Sequence, residues 1–262
     1  MKIAPLVVLL LTSLARANDG ALTLGGSPKL MKGHPTVRMQ SEVIQVWTDG
    51  EKVKVECDFV FVNEGAACSV KMGFPDVGYG DGDPYEDDDG RTPKSVMTRF
   101  DSWVNGVKVE TAMERVEVAG SPQTWRTKSV SFPAKGTVKV RDVYEQECGG
   151  GVMPSAMPIT AKEIGYIVHT GSSWKGKIGR SEIRFTFAGK KSLTLMTLAE
   201  VATRDPDGVY NFKKMPKPDV VVWQKRGKPT VKGNVVTWVR TNWRPTGEDD
   251  PGLLFDFRGM GG

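Results

Sequence analysis

From Val53 to Phe61 the chain reads VKVECDFVF, with Val53, Val55, Cys57, Phe59 and Phe61 apolar and Lys54, Glu56 and Asp58 charged. Successive side chains of a β-strand point to opposite faces, so a period of two separates an apolar side from a wet side; a helix, with 3.6 residues per turn, scrambles that pattern. The same period returns at Val138/Val140, Ile164/Tyr166/Val168 and Ile183/Phe185/Phe187. Shorter runs stand at Val37–Trp47, Phe100–Val104, Val107–Val118, Val130–Phe132, Val220–Trp223, Val235–Val239 and Leu253–Phe257. Turn residues separate them: VNG at 104–106, PAKG at 133–136, RDPDG at 204–208 and KRGKP at 225–229. About a dozen short strands punctuated in this way specify an all-β, antiparallel β-sandwich assembly, as one large or two consecutive sandwiches. Only KSLTLMTLAEVATR, residues 191–204, carries some helical period.

Local pairing follows from the same pattern. After NEGA at 63–66 the apolar phase resumes at Cys68, Val70, Met72 and Phe74, which predicts a β-hairpin with Phe61 opposite Cys68 and Cys57 opposite Met72. The two thiols then point inward about 13 Å apart, at ~3.3 Å per residue, too far for a disulfide. A bridge from either to Cys148 stays open, and three cysteines leave at least one thiol unpaired. A slip of phase between Met113 and Val116 predicts a bulge. The Gly- and Pro-rich ECGGGVMPSAMP at 147–158 marks a boundary between an N-terminal β-sandwich, 18–148, and a β-rich half, 149–262, that belongs either to the same sandwich or to a second one.

The first residues, MKIAPLVVLLLTSLARAND, have a basic start, an apolar run and the small-x-small site Ala15-Arg16-Ala17, the layout of a secretory signal peptide over residues 1–17. The chain is therefore expected to be secreted or periplasmic, with no transmembrane segment after signal removal. Basic residues exceed acidic ones by five; without Lys2 and Arg16 the excess is three, and setting aside the acids of residues 76–89 leaves about ten on the body. Export argues against nucleic acid as the partner of that basic surface; anionic envelope glycans, a phospholipid surface or the acidic loop itself are the expected counter-charges, and an envelope glycan or a protein the expected partner.

Several motifs together resemble an exported bacterial β-sandwich family of unknown function. They are ANDGALTLGG at 17–26, VRMQSEVIQVWTDGEKVKVECDFVFVNEGAACSVKMGFP at 37–75, YIVHTGSSWKGKIGRSEIRFTF at 166–187 and TWVRTNWRPTGEDD at 237–250. The order F-V-N, G-F-P, then W-V-N-G-V is also similar to the N-terminal β-sandwich of vault and inter-α-trypsin-type proteins. The resemblance implies export and a β fold and supplies no reaction.

Candidate chemistry is sparse. The long acidic loop, 76–93, holds Asp76, Asp81, Asp83, Glu86, Asp87, Asp88 and Asp89. A calcium loop needs D-x-[DN]-x-[DN]-G, and here Asp81 and Asp83 fit while Tyr85 and Glu86 take the next ligand and the glycine position. The loop reads first as a solvated, self-repelling connection and second as a weak calcium site built on Asp81, Asp83, Asp87, Asp88 and Asp89. His34 and His169 are the only histidines; there is no Gly-x-Ser-x-Gly elbow, and no Asp near His169 in sequence to orient its ring. Trp47, Trp103 and Trp238 flank apolar alternation and read as structural. Trp125, among polar neighbours in SPQTWRTK, reads as exposed. Trp174 and Trp243 sit in Gly/Pro corners, where an indole either closes the end of a sandwich or meets a ligand. The candidate ligand-binding residues are Trp125, Trp174 and Trp243 with the basic run Lys213, Lys214, Lys217, Lys225, Arg226 and Lys228. No catalytic residue stands out and no cofactor is implied beyond weak calcium. These features point to a non-catalytic binding or structural module of the cell envelope, with a glycan hydrolase using paired carboxylates, or a calcium-dependent adhesion module, as the rival classes.

Overall fold

A computed structural model of the protein describes residues 20–32, 36–79, 95–118, 121–153 and 159–259. The expected signal peptide and the loop acids Asp81, Asp83, Glu86, Asp87, Asp88 and Asp89 lie outside them. Two large sheets face each other. One runs, edge to edge, through Thr230–Lys232, Val235–Trp243, Ile178–Phe187, Val37–Thr48, Lys52–Asn63, Thr137–Glu147, Met97–Val104 and Val107–Val109. The other runs through Thr194–Thr197, Val220–Trp223, Gly252–Gly259, Ile159–Gly165, Gly149–Met153, Gly20–Gly25, Cys68–Tyr79, Ser121–Phe132 and Ala112–Val118, with Lys29–Lys32 also on Cys68–Tyr79. The fold is thus all-β, as the alternation requires. Among the described residues no helix is long and apolar enough to cross a membrane.

The inner faces are the apolar phases of the sequence. Val53, Val55, Cys57, Phe59 and Phe61 from one sheet meet Val70, Met72, Phe74, Val130 and Phe132 from the other. Rings interlock across the gap: Phe61 meets Phe132 edge-on at 6.1 Å, and Phe74 meets Tyr144 at 5.4 Å. Burying each such side chain contributes about 1.5–3 kcal/mol. The same core takes Ile164, Ile183, Phe185, Trp238 and Leu253 from beyond residue 158. Both sheets therefore draw strands from both sides of the Gly/Pro boundary. The join is a parallel pairing of Val37–Thr48 with Ile178–Phe187, in register from Ser41–Arg180 to Thr48–Phe187.

The expected hairpin at residues 63–66 is not formed. Lys52–Asn63 pairs with Val37–Thr48 and Thr137–Glu147, so that Cys57 lies beside Ile44 and Asp142, whereas Cys68–Tyr79 belongs to the opposite sheet. The physical reason is the wholly buried amide of Asn63. Its Nδ2 donates to the carbonyls of Ala66 at 2.6 Å and Pro133 at 3.0 Å, and its Oδ1 accepts from the Thr36 hydroxyl at 2.7 Å and the Gly65 N–H at 3.0 Å. These four bonds saturate the amide and turn the chain over the edge of one sheet into the other. A second correction concerns the phase slip in residues 107–118. It marks no bulge: Val107–Val109 ends in one sheet and Ala112–Val118 starts in the other, in unbroken register with Ser121–Phe132.

Replacing Asn63 by Ala strips the corner of all four bonds. It is expected to lower the unfolding free energy by about 3 kcal/mol, read from the urea midpoint, while a surface change such as Lys139→Ala leaves the midpoint within about 0.5 kcal/mol.

Candidate functional site

Val220–Trp223 is buried at all four positions, as the uninterrupted VVVW demands. Val221 and Trp223 belong to the main core; Val220 and Val222 join a second, smaller apolar cluster with Ala161, Val201, Ala202 and Leu254 on the outer side of the sheet. A strand that is apolar on both sides needs cover on both. The outer cover is the single helical turn Leu198–Val201 and the ribbon of Ala202–Arg204 with Tyr210–Phe212. The helical turn begins at Thr197, whose backbone N–H and hydroxyl both donate to the Glu200 carboxylate, at 2.5 and 2.7 Å.

A cleft of about 320 Å³ opens beside this cover. Its floor is apolar: Met196, Val201, Met215 and Val220. Its rim carries Lys213, Lys214 and Lys217, all exposed. The acids beside them, Glu200 and Asp219, stay charged, so the three lysines leave an excess of one positive charge at the rim. The Thr197 backbone N–H and hydroxyl hold the Glu200 carboxyl below its ordinary value, and Asp219 accepts the Thr194 hydroxyl at 3.4 Å. Lys213 donates to the Ala199 carbonyl at 3.2 Å, tying the rim to the helical turn. An apolar floor under a cationic rim suits a small molecule with a greasy body and a negative group.

The structure sorts the residues singled out in the sequence. It gathers Lys213, Lys214 and Lys217 at this cleft and leaves Lys225, Arg226 and Lys228 outside it, on the exposed 224–229 turn. Trp125 is a correction: it is buried, against Gly73, where an added side chain would strike Met31 and the indole, and the Lys29 ammonium lies 5.5 Å over its ring. Its polar sequence neighbours are explained by the Lys29–Lys32 segment laid along the adjoining strand. Trp174 is likewise buried, its ring 4.5 Å from Phe61 and its N–H donating to the Pro28 carbonyl at 2.6 Å, so it closes the end of the sandwich. Asp76 is no loop acid. Its buried carboxylate accepts the Ser95 hydroxyl at 2.5 Å, the Val96 N–H at 3.0 Å and the Arg126 guanidinium at 3.1 Å.

His169 gains from the fold what the sequence withheld. Its Nδ1 lies 2.7 Å from Asp250 Oδ2, and Asp250 Oδ1 accepts the backbone N–H groups of Val168 and His169 at 2.8 and 3.0 Å. This is the base-and-orienter half of a triad. Among the described residues no hydroxyl or thiol is bonded to its other ring nitrogen. Cys57, Cys68 and Cys148 are free thiols, and burial pushes the Cys57 thiol well up and that of Cys148 to about 11, which makes both inert. Among the described residues no three His, Cys, Asp or Glu side chains gather as metal ligands.

Trp243 leads to a group that sequence reasoning missed. Half-buried against Trp238, it donates its N–H to Ser181 Oγ at 2.9 Å, and Ser181 in turn donates to Glu42 at 2.7 Å. Glu42 is wholly buried and also accepts the Ser27 hydroxyl at 2.5 Å. Burial pushes its carboxyl up to about 7 against the hydrogen bonds from Ser27 and Ser181. A Glu on an alternating strand reads as a solvent-facing residue; the register shift at Met39–Ser41 is what turns it inward.

Neither a protein-family model nor a curated protein matches the sequence. Among solved structures, a candidate nutrient binding protein from Legionella pneumophila aligns with 91% of this chain and 73% of its own at 17% identity and a TM-score of 0.62, which shows a shared fold. An M1 zinc metallopeptidase from Deinococcus radiodurans aligns with 85% of this chain and only 42% of its own, at 9% identity and a TM-score of 0.34. The chain thus spans less than half of that enzyme, and a match this loose carries no argument.

The buried Glu42 sets a pH dependence. Its folded pKa of about 7 lies above the ordinary 4.5, so the native state keeps a proton that the unfolded chain releases. Its contribution is full below pH 4.5 and is lost as the pH rises through 7, by about 3 kcal/mol in total. The stability difference between wild type and Glu42→Gln, measured by urea unfolding, is expected to shift in favour of the variant by that amount between pH 4 and pH 8.

Proposed function

We propose that this chain is an exported, non-catalytic binding module of the bacterial cell envelope, and that its ligand is a small anion with an apolar body held in the lysine-rimmed cleft. The observation that carries the reading is the cleft itself. Lys213, Lys214 and Lys217 stand over Met196, Val201 and Val220 and outnumber the two neighbouring acids, whose carboxylates are hydrogen-bonded by Thr197 and Thr194. Its volume of about 320 Å³ is that of a small-molecule site. The shared fold with the Legionella candidate nutrient binding protein supports a binding role, and the basic, apolar and cleavage-site layout of residues 1–17 supports export.

The lysines act by charge more than by directed hydrogen bonds, since their stems are long and solvated. Affinity is therefore expected to fall with ionic strength, as exposed charges are screened over about 10 Å at 0.1 M salt. The apolar floor supplies affinity that salt leaves intact. The same ligand without its negative group should bind weakly and without salt dependence.

Calorimetric titration with octanoate, against octanol as the uncharged comparator, tests the reading. Octanoate is expected to bind, and the triple change Lys213→Ala, Lys214→Ala, Lys217→Ala to weaken it by about tenfold or more, or ~1.4 kcal/mol. The triple change Lys225→Ala, Arg226→Ala, Lys228→Ala should leave it unaltered. Equal binding of octanoate and octanol, or equal losses in both triple variants, contradicts the assignment. Export is checked separately, by N-terminal sequencing of protein recovered from the envelope fraction, which should begin at Asn18.

A further inference from the structure

The outer face of the sheet that contains Lys52–Asn63 carries a second concave region, far in sequence from the lysine run. It is built by register. Lys108 lies opposite Trp103, Trp103 opposite Arg141, and Arg141 opposite Asp58, so four side chains from four strands stand in one line across the sheet. In the run DSWV, Ser102 is buried and Val104 packs on the core, which turns Trp103 outward. A trough of about 590 Å³ lies along this line, bounded by Trp103, Gly106, Lys139, Arg141, Asp58 and Val60. Gly106 takes a φ of +83° in the turn after the tryptophan, and its missing side chain leaves that end of the trough open.

Arg141 and the two carboxylates it meets are fixed before any ligand arrives. Arg141 sends Nη1 to both Asp58 oxygens, at 3.0 and 2.8 Å, and Nη2 to Glu56. The Lys108 ammonium is anchored on Asp101 at 2.6 Å and lies 6.0 Å from the centre of the Trp103 ring. Around the trough Lys139 and Arg141 are balanced by Asp58 and Glu56, so the site carries no net charge. It offers instead a half-buried indole as an apolar platform beside carboxylate acceptors and a guanidinium held in place, with the exposed Lys139 ammonium at its margin. An anion meets Asp58 and Glu56 here, and a cation meets Arg141 and Lys139. An apolar ligand buries those charged groups without replacing their water. The chemistry that fits all of them is a neutral ring whose C–H face stacks on an indole and whose edge carries hydroxyl groups able both to give and to accept hydrogen bonds.

We propose that this trough is a saccharide-binding site for neutral hexopyranose units, in which Trp103 is the stacking platform, Asp58 accepts from ring hydroxyls, and Arg141 and Lys139 donate to them. The site is independent of the lysine-rimmed cleft: the two use different strands, and one is cationic while the other is balanced in charge. A trough open along the sheet admits consecutive units of a chain, so affinity grows with the number of sugar units.

The test uses the full chain and three soluble probes: the hexamers of β-1,4-linked glucose and of β-1,4-linked N-acetylglucosamine as neutral chains, and oligogalacturonate as the acidic comparator. Tryptophan fluorescence and calorimetry read the binding. At least one neutral hexamer is expected to bind, more tightly than its dimer and than oligogalacturonate, with Trp103→Ala weakening it by about tenfold or more. Val60→Trp, which keeps Trp103 and fills the trough, should abolish the same binding with the thermal midpoint retained, so a folding defect in Trp103→Ala does not decide the matter. Lys214→Ala should leave it unchanged. Failure of both neutral hexamers to bind at millimolar concentration overturns the proposal. So does preferential binding of oligogalacturonate, or retention of binding in Val60→Trp.

Discussion

The apolar seam between the two sheets is made of alternate residues from strands at both ends of the chain, and every surface described above is held in place by it. Val53 to Phe61 and Val70 to Phe74 face each other across the seam near its centre, and Ile183, Trp238 and Leu253 extend it through residues beyond the Gly/Pro boundary. Because the parallel pairing of Val37–Thr48 with Ile178–Phe187 lies inside one sheet, the later strands complete a surface that the earlier ones begin. An unpaired central strand would expose a row of backbone groups and one side of the seam together.

Within the seam some buried polar groups are bonded to one another in sets. Ser102 donates to Asp142 at 2.6 Å and accepts from Lys128 at 2.7 Å, and Lys128 also pairs with Asp142, all three being buried. The Asp142 and Lys128 strands lie in opposite sheets, so this pair fixes one sheet against the other where apolar contacts alone would allow sliding. Glu42 does the same at the other end, with Ser27 on one side of the seam and Ser181 on the other. Asn63 controls where the chain passes between the sheets. Apolar rows set which side of a strand faces in; these polar sets determine how the two sheets are aligned.

Sequence alternation reports a residue's face and is silent about its neighbour, and this divides what was legible from what was not. The inward placement of Cys57, Phe59, Phe61, Met72 and Phe74 followed from the period of two. The hairpin did not, because a corner that crosses between sheets restarts the apolar phase just as a tight turn does; only the buried amide of Asn63 distinguishes the two, and its partner Pro133 is seventy residues away. Trp125 looks exposed in the sequence for a related reason, since its cover comes from Lys29–Lys32. The lysines of the cleft were visible as a charge run, but their separation from Lys225, Arg226 and Lys228 and the apolar floor beneath them depend on the outer cover of VVVW. That run was the available signal: four apolar residues in a row imply burial on both faces, hence something packed outside the sheet.

The two concave surfaces owe their contrasting chemistry to these placements. The cleft lies at the margin of the second apolar cluster, where the covering ribbon stops and lysines take over. The trough lies on the outer face of the opposite sheet, where strand register lines up Trp103, Arg141 and Asp58. Both depend on the two sheets behaving as one body with a shared seam. Equilibrium urea unfolding, followed in parallel by tryptophan fluorescence and far-ultraviolet circular dichroism, tests that dependence most directly. A common seam predicts a single transition with coincident midpoints from both probes; two separated transitions, with strands before and after the Gly/Pro boundary melting independently, would contradict it.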